Sequence, residues 1–564
     1  MLNGLAVSSG IGIGKVLIVS NELPDYSKVV YSTAEQEKKR LDQALADFKS
    51  ATGRMAEYVK EHVGEEEAGI LEGQAEMASD PFFEEQLHAN IDGGKPAEAA
   101  VVEVSNFFAQ MFRDSGDELM MQRASDVLDM QKRLVKRLLG IEDLSLNDLS
   151  ESTIIVAEDF TPSMAVGINK EMVAGVVTEV GGYTSHSAIL ARKMEIPAIF
   201  SVEDACERLK EASVAALDGN DGVIELEPDG EDLSMWKEKQ KEWKAYLETL
   251  TAFRGKETLD ADGNRYQIYA NIANPEDASE AAERTAEGVG LFRTEFLFMD
   301  HTQAPTEEEQ YEAYRKASAA MSGKEIIIRT LDVGGDKEIP YMNLPKEENP
   351  FLGYRAIRYC LKNPELYRVQ LRALLRASAE YKNIQIMVPM VTRVEEIREV
   401  KSMVAELKKE LEEQQILFDP DIKVGIMIET SASVLIADLL AREADFFSIG
   451  TNDLVQYTMA ADRGNAQVKD LYSTYYPAVL RAIAAVIKAA KDAGIAVGMC
   501  GEAAADPKMI PLLMSWGLDE FSVGTEAILS TRAKIRDIHI EEAKKLAEKV
   551  LNAATLEEVE TLLW

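Results

Sequence analysis

The chain has 564 residues, of which 98 are acidic and 61 basic, so its formal net charge is −37. The length predicts two to four domains, and the negative charge argues against a nucleic-acid partner, because phosphate backbones are bound by clustered Lys and Arg. No apolar run approaches a membrane span, the N-terminus lacks a signal-peptide pattern, and three scattered cysteines suit a reducing compartment, so we expect a cytoplasmic protein without membrane insertion.

The first 20 residues mix glycines with β-branched residues. Gly10, Gly12, Gly14 and Lys15 superficially resemble a phosphate-binding loop, but neither the dinucleotide spacing nor the P-loop spacing is met. We therefore predict a glycine-rich turn that leads into a strand within residues 5–19.

A helical pattern of apolar residues occupies residues 33–139. Asp80-Pro81 and the segment 92–96 interrupt the pattern, and Gly140 ends it, which predicts a bundle of about four helices. Residues 61–85 contain nine acidic residues and no Lys or Arg. This segment is either a solvated face or a docking site for a basic partner.

Short β-rich runs return after Ser152 and alternate with helical stretches. The runs are 154–157, 173–178, 198–200 and 222–226. We predict that residues 1–20 and 145–228 form one α/β domain, into which a helical domain of residues 21–144 is inserted. The charged stretch 229–260 is predicted to be a linker helix about which the domains swivel.

One histidine, His186, follows two glycines and precedes an apolar helical run. Gly181 and Gly182 allow a tight turn, and a neutral imidazole can attack phosphorus if a neighbour such as Thr184 binds its other ring nitrogen. His186 is therefore a candidate nucleophile. The alternative is that it only caps the helix that begins near Ser187.

Eight short apolar runs recur after residue 264, with helical patterns between them. The runs are 267–271, 289–293, 326–330, 384–390, 424–429, 446–450, 497–500 and 521–523. Eight strand–helix units in about 300 residues are typical of a (β/α)₈ barrel. The predicted fold is thus a multidomain α/β protein that ends in a TIM-type barrel over residues 261–564.

Chemically selective residues close or follow several of these runs, where a barrel carries its active site. They are Arg293, Arg329, Glu429, Asn452, Asp453, Arg463 and Cys500. Arginine binds phosphate and carboxylate oxygens, paired carboxylates suit Mg²⁺, and a thiol can act as a general acid. Taken singly, each has a structural alternative as an ion pair, a helix cap or a small buried hydrophobe.

Seven motifs that occur in order over nearly the whole chain resemble the enzyme I family of the bacterial phosphotransferase system, the phosphoenolpyruvate-protein phosphotransferases. The motifs are GGYTSHSAILAR (181–192), GLFRTEFLFM (290–299), RTLDVGGDK (329–337), NPFLGYR (349–355), DFFSIGTNDLVQY (445–457), ADRGN (461–465) and GMCGE (498–502). The resemblance implies that phosphoenolpyruvate phosphorylates His186, which then phosphorylates a histidine of a phosphocarrier protein in the first step of sugar uptake.

The resemblance also implies roles at the barrel rim. The implied ligands of the substrate are Arg293, Arg329, Arg355, Asn452, Asp453 and Arg463. Glu429 and Asp453 would bind Mg²⁺, and Cys500 would protonate the departing enolpyruvate. The helical insert would dock the phosphocarrier protein, and the barrel would form a homodimer.

Three positions depart from the family pattern. They are Tyr183, where the family often has Arg, Ser431, where it often has Pro, and Ser473-Thr474, where it often has a Gln/Asn-Pro pair. Two alternatives remain open. A dikinase or phosphoenolpyruvate synthase shares the histidine and the barrel but needs an ATP-binding region, and none is evident ahead of His186. A regulatory scaffold would be expected to lose a rim residue, and none is lost.

Overall fold

The structure is a computed structural model. It describes the whole chain except residues 20–22, 63–64, 115–117, 142–145, 147–148, 166–167, 171, 183–184, 300–302, 335–338, 343, 345–346 and 466. The chain divides into two compact units, Met1–Leu247 and Glu248–Trp564. None of the described helices is long and apolar enough to cross a bilayer.

The first unit contains one mixed sheet, whose described strands number eight. They are β1 (Leu2–Asn3), β2 (Leu5–Ser8), β3 (Ile11–Val19), β4 (Thr153–Ala157), β5 (Val173–Thr178), β6 (Ala198–Phe200), β7 (Val214–Asp218) and β8 (Val223–Leu226). Their order is β1-β8-β7-β3-β4-β5-β6-β2, and the run from β3 to β6 is parallel. All four strands that we predicted between residues 154 and 226 are present. Strand β7 was not predicted.

The glycines near the N-terminus lie inside β3, and the turn that we predicted there is wrong for Gly12 and Gly14. A Cβ atom on Gly12 would lie 2.1 Å from the carbonyl oxygen of Ala174, and one on Gly14 would lie 2.7 Å from that of Ser152. Both distances are far below van der Waals contact. These glycines therefore permit close approach of backbone segments in the middle of the sheet.

Helices of the first unit form a bundle and three short segments beside the sheet. The bundle helices in the described part of the chain are α1 (Ala34–His62), α2 (Glu65–Met77), α3 (Pro81–Asp92), α4 (Ala97–Asp114) and α5 (Glu118–Leu138), and the short ones are α6 (Pro162–Ala165), α7 (His186–Lys193) and α8 (Ala205–Arg208). The predicted break at Asp80-Pro81 is confirmed, because the Asp80 carboxylate caps α3 by accepting hydrogen bonds from the backbone N–H groups of Phe82 and Phe83. Five bundle helices replace the four or so that we predicted.

The stretch that we predicted as a linker helix forms α9 (Gly230–Thr251), which crosses the boundary between the two units. Its N-terminal half packs on the sheet. Trp236 Nε1 donates a hydrogen bond to Glu225 over 2.6 Å, and Gln240 donates one to the Ile11 carbonyl over 3.1 Å. These contacts attach the first half of α9 to the first unit.

The second unit contains a closed barrel of eight parallel strands, counted over its described residues, and this confirms the predicted (β/α)₈ architecture. The strands are β9 (Gln267–Ile272), β10 (Gly288–Phe292), β11 (Ile326–Arg329), β12 (Ile384–Val388), β13 (Val424–Ile428), β14 (Phe446–Ile449), β15 (Ala496–Met499) and β16 (Glu520–Val523). Each of the eight overlaps a predicted run. The barrel closes where β16 pairs with β9.

The helices that follow these strands cover the outside of the barrel. They are α10 (Pro275–Glu283), α11 (Phe296–Met299), α12 (Glu307–Ala320), α13 (Ile357–Lys362), α14 (Pro364–Ala377), α15 (Val394–Glu413), α16 (Ser431–Leu435), α17 (Ala437–Leu440), α18 (Thr451–Met459), α19 (Pro477–Ala493), α20 (Met509–Trp516), α21 (Ile528–Arg536), α22 (Ile540–Asn552) and α23 (Leu556–Leu563). A large apolar core joins these helices to the strands, and a separate small cluster that includes Leu291, Met427 and Cys500 packs together on the strands.

Candidate active site

The predicted rim residues of the second unit all lie just after their strands or in the loops that follow. Arg293 follows β10, Arg329 ends β11, and Glu429 follows β13. Asn452 and Asp453 lie in the first turn of α18, after β14, and Cys500 follows β15. Because parallel strands of a barrel end at one mouth, this topology brings the side chains to the same end.

A buried ion-pair network surrounds Arg329. Its guanidinium donates a hydrogen bond to Glu295 over 2.6 Å and lies 3.0 Å from Asp332. Burial alone would lower the pKa of Arg329, but the carboxylates of Glu295, Asp332 and Glu429 more than offset this and raise it. Arg329 is therefore a permanently charged group held rigidly in the wall.

The network continues through Arg355 to Arg463. Arg355 donates a hydrogen bond to Asp332 over 2.8 Å, and its guanidinium lies 3.7 Å from Asp453 Oδ1. The guanidinium of Arg463 lies 3.8 Å from the same oxygen. Acidic and basic groups thus alternate along the rim from Glu295 to Arg463, so that three arginines converge without mutual repulsion.

Aromatic side chains support the two outer arginines. The guanidinium carbons of Arg355 and Arg463 lie 5.9 Å and 5.3 Å from the ring centre of Phe351, within the range of cation–π attraction. Tyr457 contacts both elements, because its hydroxyl donates a hydrogen bond to the Phe351 carbonyl and accepts one from Arg355 over 3.3 Å. These contacts fix the loop that carries Phe351 against α18.

Arg293 differs from its neighbours, because it is exposed and forms no hydrogen bond or ion pair with any described residue. Desolvation by the surrounding wall and the positive charge of nearby Arg329 lower its pKa. The carboxylates of Glu295 and Glu502 oppose this shift from a distance, and an anionic ligand that bonds the guanidinium directly would stabilise its charge further.

Glu429 and Asp453 are two buried carboxylates on adjacent loops. Burial, followed by the negative charges of Asp453 and Asp332, raises the pKa of Glu429 to about 8. One Glu429 oxygen accepts a hydrogen bond of 2.6 Å from the Met390 backbone N–H, while Asp453 Oδ1 is buried and accepts none from the described residues. Paired hard oxygen donors with an unsatisfied lone pair suit a divalent cation such as Mg²⁺.

Cys500 is buried beneath this rim. Burial raises the pKa of its thiol to about 11, so that the thiol keeps its proton at neutral pH. Its backbone carbonyl accepts a hydrogen bond of 3.1 Å from Asn271, which fixes the strand end. A neutral thiol that faces a substrate has the protonation state that a general acid needs.

Asn452 is positioned by the neighbouring loop. Its side-chain NH₂ donates a hydrogen bond to Glu502 over 3.3 Å, and its side-chain oxygen accepts one from the Glu502 backbone over 3.2 Å. These two contacts join the loops after β14 and β15. They hold the amide of Asn452 beside Asp453.

His186 lies in the first unit and is the first residue of α7. Ser185 caps this helix, because its hydroxyl accepts a hydrogen bond of 3.3 Å from the Ala188 backbone N–H. The histidine is therefore not the cap that the structural alternative assumed. The His186 side chain, together with Tyr183 and Thr184, lies outside the described residues.

Sequence reasoning missed several members of the rim. Asp332 and Glu295 lie within quoted motifs but were not identified as counter-ions, and Tyr457 was not identified as a support. Four arginines that converge on one rim require carboxylates nearby, and this charge balance could have pointed to Asp332 and Glu295. Nothing in the local pattern marks Tyr457.

The sequence profiles of three family domains match this chain. They are the PEP-binding domain of PEP-utilising enzymes (residues 248–540), their N-terminal domain (residues 3–123) and their mobile domain (residues 149–222). The first of these contains all the predicted rim residues, and the third contains His186.

Two relatives that match over nearly the full length carry the same name. The phosphoenolpyruvate-protein phosphotransferase of Bacillus subtilis is 43% identical over 99% of this chain and 98% of its own length. That of Priestia megaterium is 42% identical over 99% of this chain and 97% of its own length. The solution structure of an Enzyme I protein is 32% identical, with a TM-score of 0.37, and covers 43% of this chain and all of that one.

Proposed function

The chain belongs to the PEP-utilising enzymes, among the phosphoenolpyruvate-protein phosphotransferases, and from this membership we propose how its residues carry the reaction. The enzyme transfers the phosphoryl group of phosphoenolpyruvate to protein. We assign the first acceptor as His186 and the second as a histidine of a phosphocarrier protein. The observation that carries the assignment is the alternating network from Glu295 to Arg463 beside the unpaired Arg293.

The arginines explain how a small trianion is held. Phosphoryl transfer depends mainly on positioning and on neutralising charge at the equatorial oxygens. Arg329 and Arg355 are fixed in the wall by Asp332, and Arg293 and Arg463 remain accessible to an entering ligand. With Asn452 beside them, these groups would bind the phosphate and carboxylate of phosphoenolpyruvate.

Glu429 and Asp453 fit a magnesium ion. Burial and the neighbouring carboxylates raise the pKa of Glu429, and Asp453 Oδ1 accepts no hydrogen bond from the described residues; a divalent cation would stabilise both oxygens. When bound there, Mg²⁺ would supply a positive charge to the phosphoryl oxygens. The two carboxylates would then both be ionised, and Arg355 would keep Asp453 in position.

Cys500 would finish the first half-reaction. When the phosphoryl group leaves, the enol form of pyruvate remains, and protonation at its methylene carbon gives pyruvate. The buried thiol holds the proton that this step needs. Because His186 and Cys500 belong to different units of the chain, the mechanism also needs the units to move, and α9 is the segment that we propose as their linker.

The remaining assignments concern partners and boundaries. We propose residues 1–20 and 145–228 as the phosphohistidine domain, 21–144 as the docking domain for the phosphocarrier protein, 229–260 as the linker and 261–564 as the substrate-binding and dimerisation domain. The acidic stretch 61–85 supports the docking assignment, because a basic partner surface would complement it.

Labelling tests the assignment. We expect radioactive phosphoenolpyruvate with Mg²⁺ to label the protein on an acid-labile, base-stable phosphohistidine, and radioactive ATP to give no label. His186→Ala should abolish the label, and His539→Ala, which changes an exposed histidine paired with Asp262, should keep it. Labelling from ATP would instead favour a dikinase, and no label from either donor would favour a scaffold.

A further inference from the structure

A buried acid, Glu520, lies inside the barrel beneath the candidate site and takes no part in the reaction as described so far. It is the first residue of β16, and its Oε1 atom is buried without a hydrogen-bond partner among the described residues. Glycines on two other strands make room for the carboxyl group. A Cβ atom added to Gly290 would lie 2.0 Å from Oε1 of Glu520, and one added to Gly498 would lie 2.5 Å from Oε2 of Glu520.

The geometry of β15 relates this carboxyl group to Cys500. Gly498 precedes Cys500 by two residues, so both positions face the same side of the strand, about 7 Å apart. Glu520 Oε2 occupies the space next to Gly498, and it is therefore one layer below the thiol. No bulky side chain on β15 separates the two groups.

Ser448 lies in the same layer as Glu520. It pairs with Gly498 from the opposite side, in β14, and its hydroxyl oxygen is buried without a hydrogen-bond partner among the described groups. The Cys500 thiol itself donates to the Ile449 carbonyl over 3.8 Å. Burial raises the pKa of this thiol, and the nearby Ser448 hydroxyl partly offsets that rise. Ser448 therefore lies beside the thiol, and a change of its rotamer would bring the hydroxyl into a relay.

The charged and titratable groups around Glu520 explain why it holds a proton. Burial has the largest effect on the pKa of Glu520, and the carboxylates of Glu325 and Asp519 add to it. Together they raise the pKa of Glu520 to about 8. Tyr269 faces the same space, and its hydroxyl donates a hydrogen bond of 2.9 Å to the half-buried Glu325. Glu325 precedes β11 and therefore lies at the opposite end of the barrel from the rim, where it meets solvent.

We propose that Glu520 is the proton reserve of this site. After Cys500 has given its proton to enolpyruvate, Glu520 supplies a replacement proton to Cys500 through the Ser448 hydroxyl. The proposal rests on the role of Cys500 proposed above. The S–H bond breaks as the C3–H bond of pyruvate forms and leaves a thiolate. Ser448 then gives its proton to sulfur and takes the carboxyl proton of Glu520, and the Glu520 carboxylate is reprotonated from water at the Glu325 end.

Two exchange reactions in the absence of any phosphocarrier test the proposal. The enzyme is incubated in D₂O with Mg²⁺, phosphoenolpyruvate and ¹³C-labelled pyruvate. NMR follows entry of ¹³C into phosphoenolpyruvate, which reports phosphoryl transfer in both directions, and entry of deuterium at C3, which reports replacement of the proton on Cys500 by solvent. The ratio of deuterium entry to carbon entry, corrected for spontaneous exchange of pyruvate, is the quantity of interest.

In E520Q, which keeps the shape and loses the acid, we expect this ratio to fall by about tenfold. General acid–base catalysis by a positioned side chain typically contributes about 10²–10⁴-fold, and direct exchange with solvent replaces part of the lost supply. S448A should lower the ratio similarly while it removes only one hydroxyl. D492N changes an exposed carboxylate that pairs with Lys488 on the outer helix α19, and it should leave the ratio unchanged.

Two outcomes would overturn the role of Glu520 while leaving the proposed function intact. An unchanged ratio in E520Q and S448A would show that solvent reaches Cys500 without the reserve. An equal decrease of both exchanges would show that Glu520 acts only through the structure of the barrel. Absence of carbon exchange in the unsubstituted enzyme would overturn the proposed function itself, and the role of Glu520 with it.

Discussion

At the scale of single residues, the rim combines arginines that the protein has already neutralised with one that it has not. Arg329 and Arg355 lie among Glu295, Asp332 and Asp453, and removal of such a buried partner leaves an uncompensated charge. Arg293 is exposed and is not the partner of a buried carboxylate in this network. Stability and substrate binding should therefore separate at these positions.

Arg293→Ala should leave thermal stability nearly unchanged, within about 0.5 kcal/mol, and should lower kcat/KM for phosphoenolpyruvate by about 10²-fold or more, as the loss of an aligned cation does. Arg329→Ala should destabilise the second unit by about 3–5 kcal/mol, because Glu295 and Asp332 lose their partner. Thermal unfolding and steady-state kinetics measure both. A large loss of stability in Arg293→Ala would contradict the distinction.

Glu520 also predicts a pH dependence of stability. Its pKa is about 8 in the folded protein against an ordinary value of 4.5, so the folded state keeps a proton that the unfolded state releases. Its contribution is fully present below pH 4.5 and is lost as the pH rises to about 8. E520Q should remove this slope, so that its stability relative to the unsubstituted protein increases by a few kcal/mol between pH 5 and pH 8. The same difference in free energy of unfolding between E520Q and the unsubstituted protein at both pH values would contradict this.

At the scale of elements, periodicity predicted the barrel strands well and the first sheet less well. Each of the eight barrel runs is mainly apolar and contains at least one β-branched residue, which is typical of strands buried on both faces. Strand β7 (Val214–Asp218) was missed, because Ala215 and Ala216 give it a weak β propensity. Gly12 and Gly14 were assigned to a turn, since the contact that demands glycine comes from residues more than 100 positions away.

Two glycine substitutions should have opposite effects on the first unit. Gly12→Ala should destabilise it by about 2–4 kcal/mol, because the new methyl group meets the Ala174 carbonyl in the centre of the sheet. Gly53→Ala should stabilise it by about 0.5–1 kcal/mol, because Gly53 lies inside α1 with free space around its Cβ position. Chemical denaturation measures both, and a neutral Gly12→Ala would refute the steric argument.

The same limits apply to the candidate site. Residues at strand ends were predictable, because the barrel topology dictates where Arg329, Glu429 and Cys500 meet. Their counter-ions follow from charge balance only after the arginines are placed. Glu520 was not considered, because it begins a strand, and only strand ends were searched for chemistry. Its burial depends on Gly290 and Gly498, whose relevance appears only in three dimensions.

At the scale of the whole molecule, the chain consists of two units whose boundary falls within α9. Each unit has its own apolar cores. A ligand that binds only the native form of one unit stabilises that unit alone. The reaction proposed above, by contrast, needs groups from both units.

Calorimetry should therefore resolve two unfolding transitions. Phosphoenolpyruvate with Mg²⁺ at about 100 times its Kd should raise the stability of the second unit by about 2.7 kcal/mol and leave the other transition in place. The His186→Ala variant, which the proposed function predicts cannot be phosphorylated, should keep the ligand intact during the scan. A single transition that shifts as a whole would indicate one cooperative unit instead.

The space that Gly290 and Gly498 leave inside the barrel has a consequence for evolutionary change. Gly498 does not tolerate a methyl group while Glu520 occupies that space, and Gly290 is restricted by Ser522 as well as by Glu520. In natural relatives, an alanine at the position of Gly498 should therefore accompany a shorter, non-acidic residue at the position of Glu520. Among sequences that keep Gly290, Gly498 and Glu520, the glutamate should be more conserved than residues on the exposed surface of the barrel.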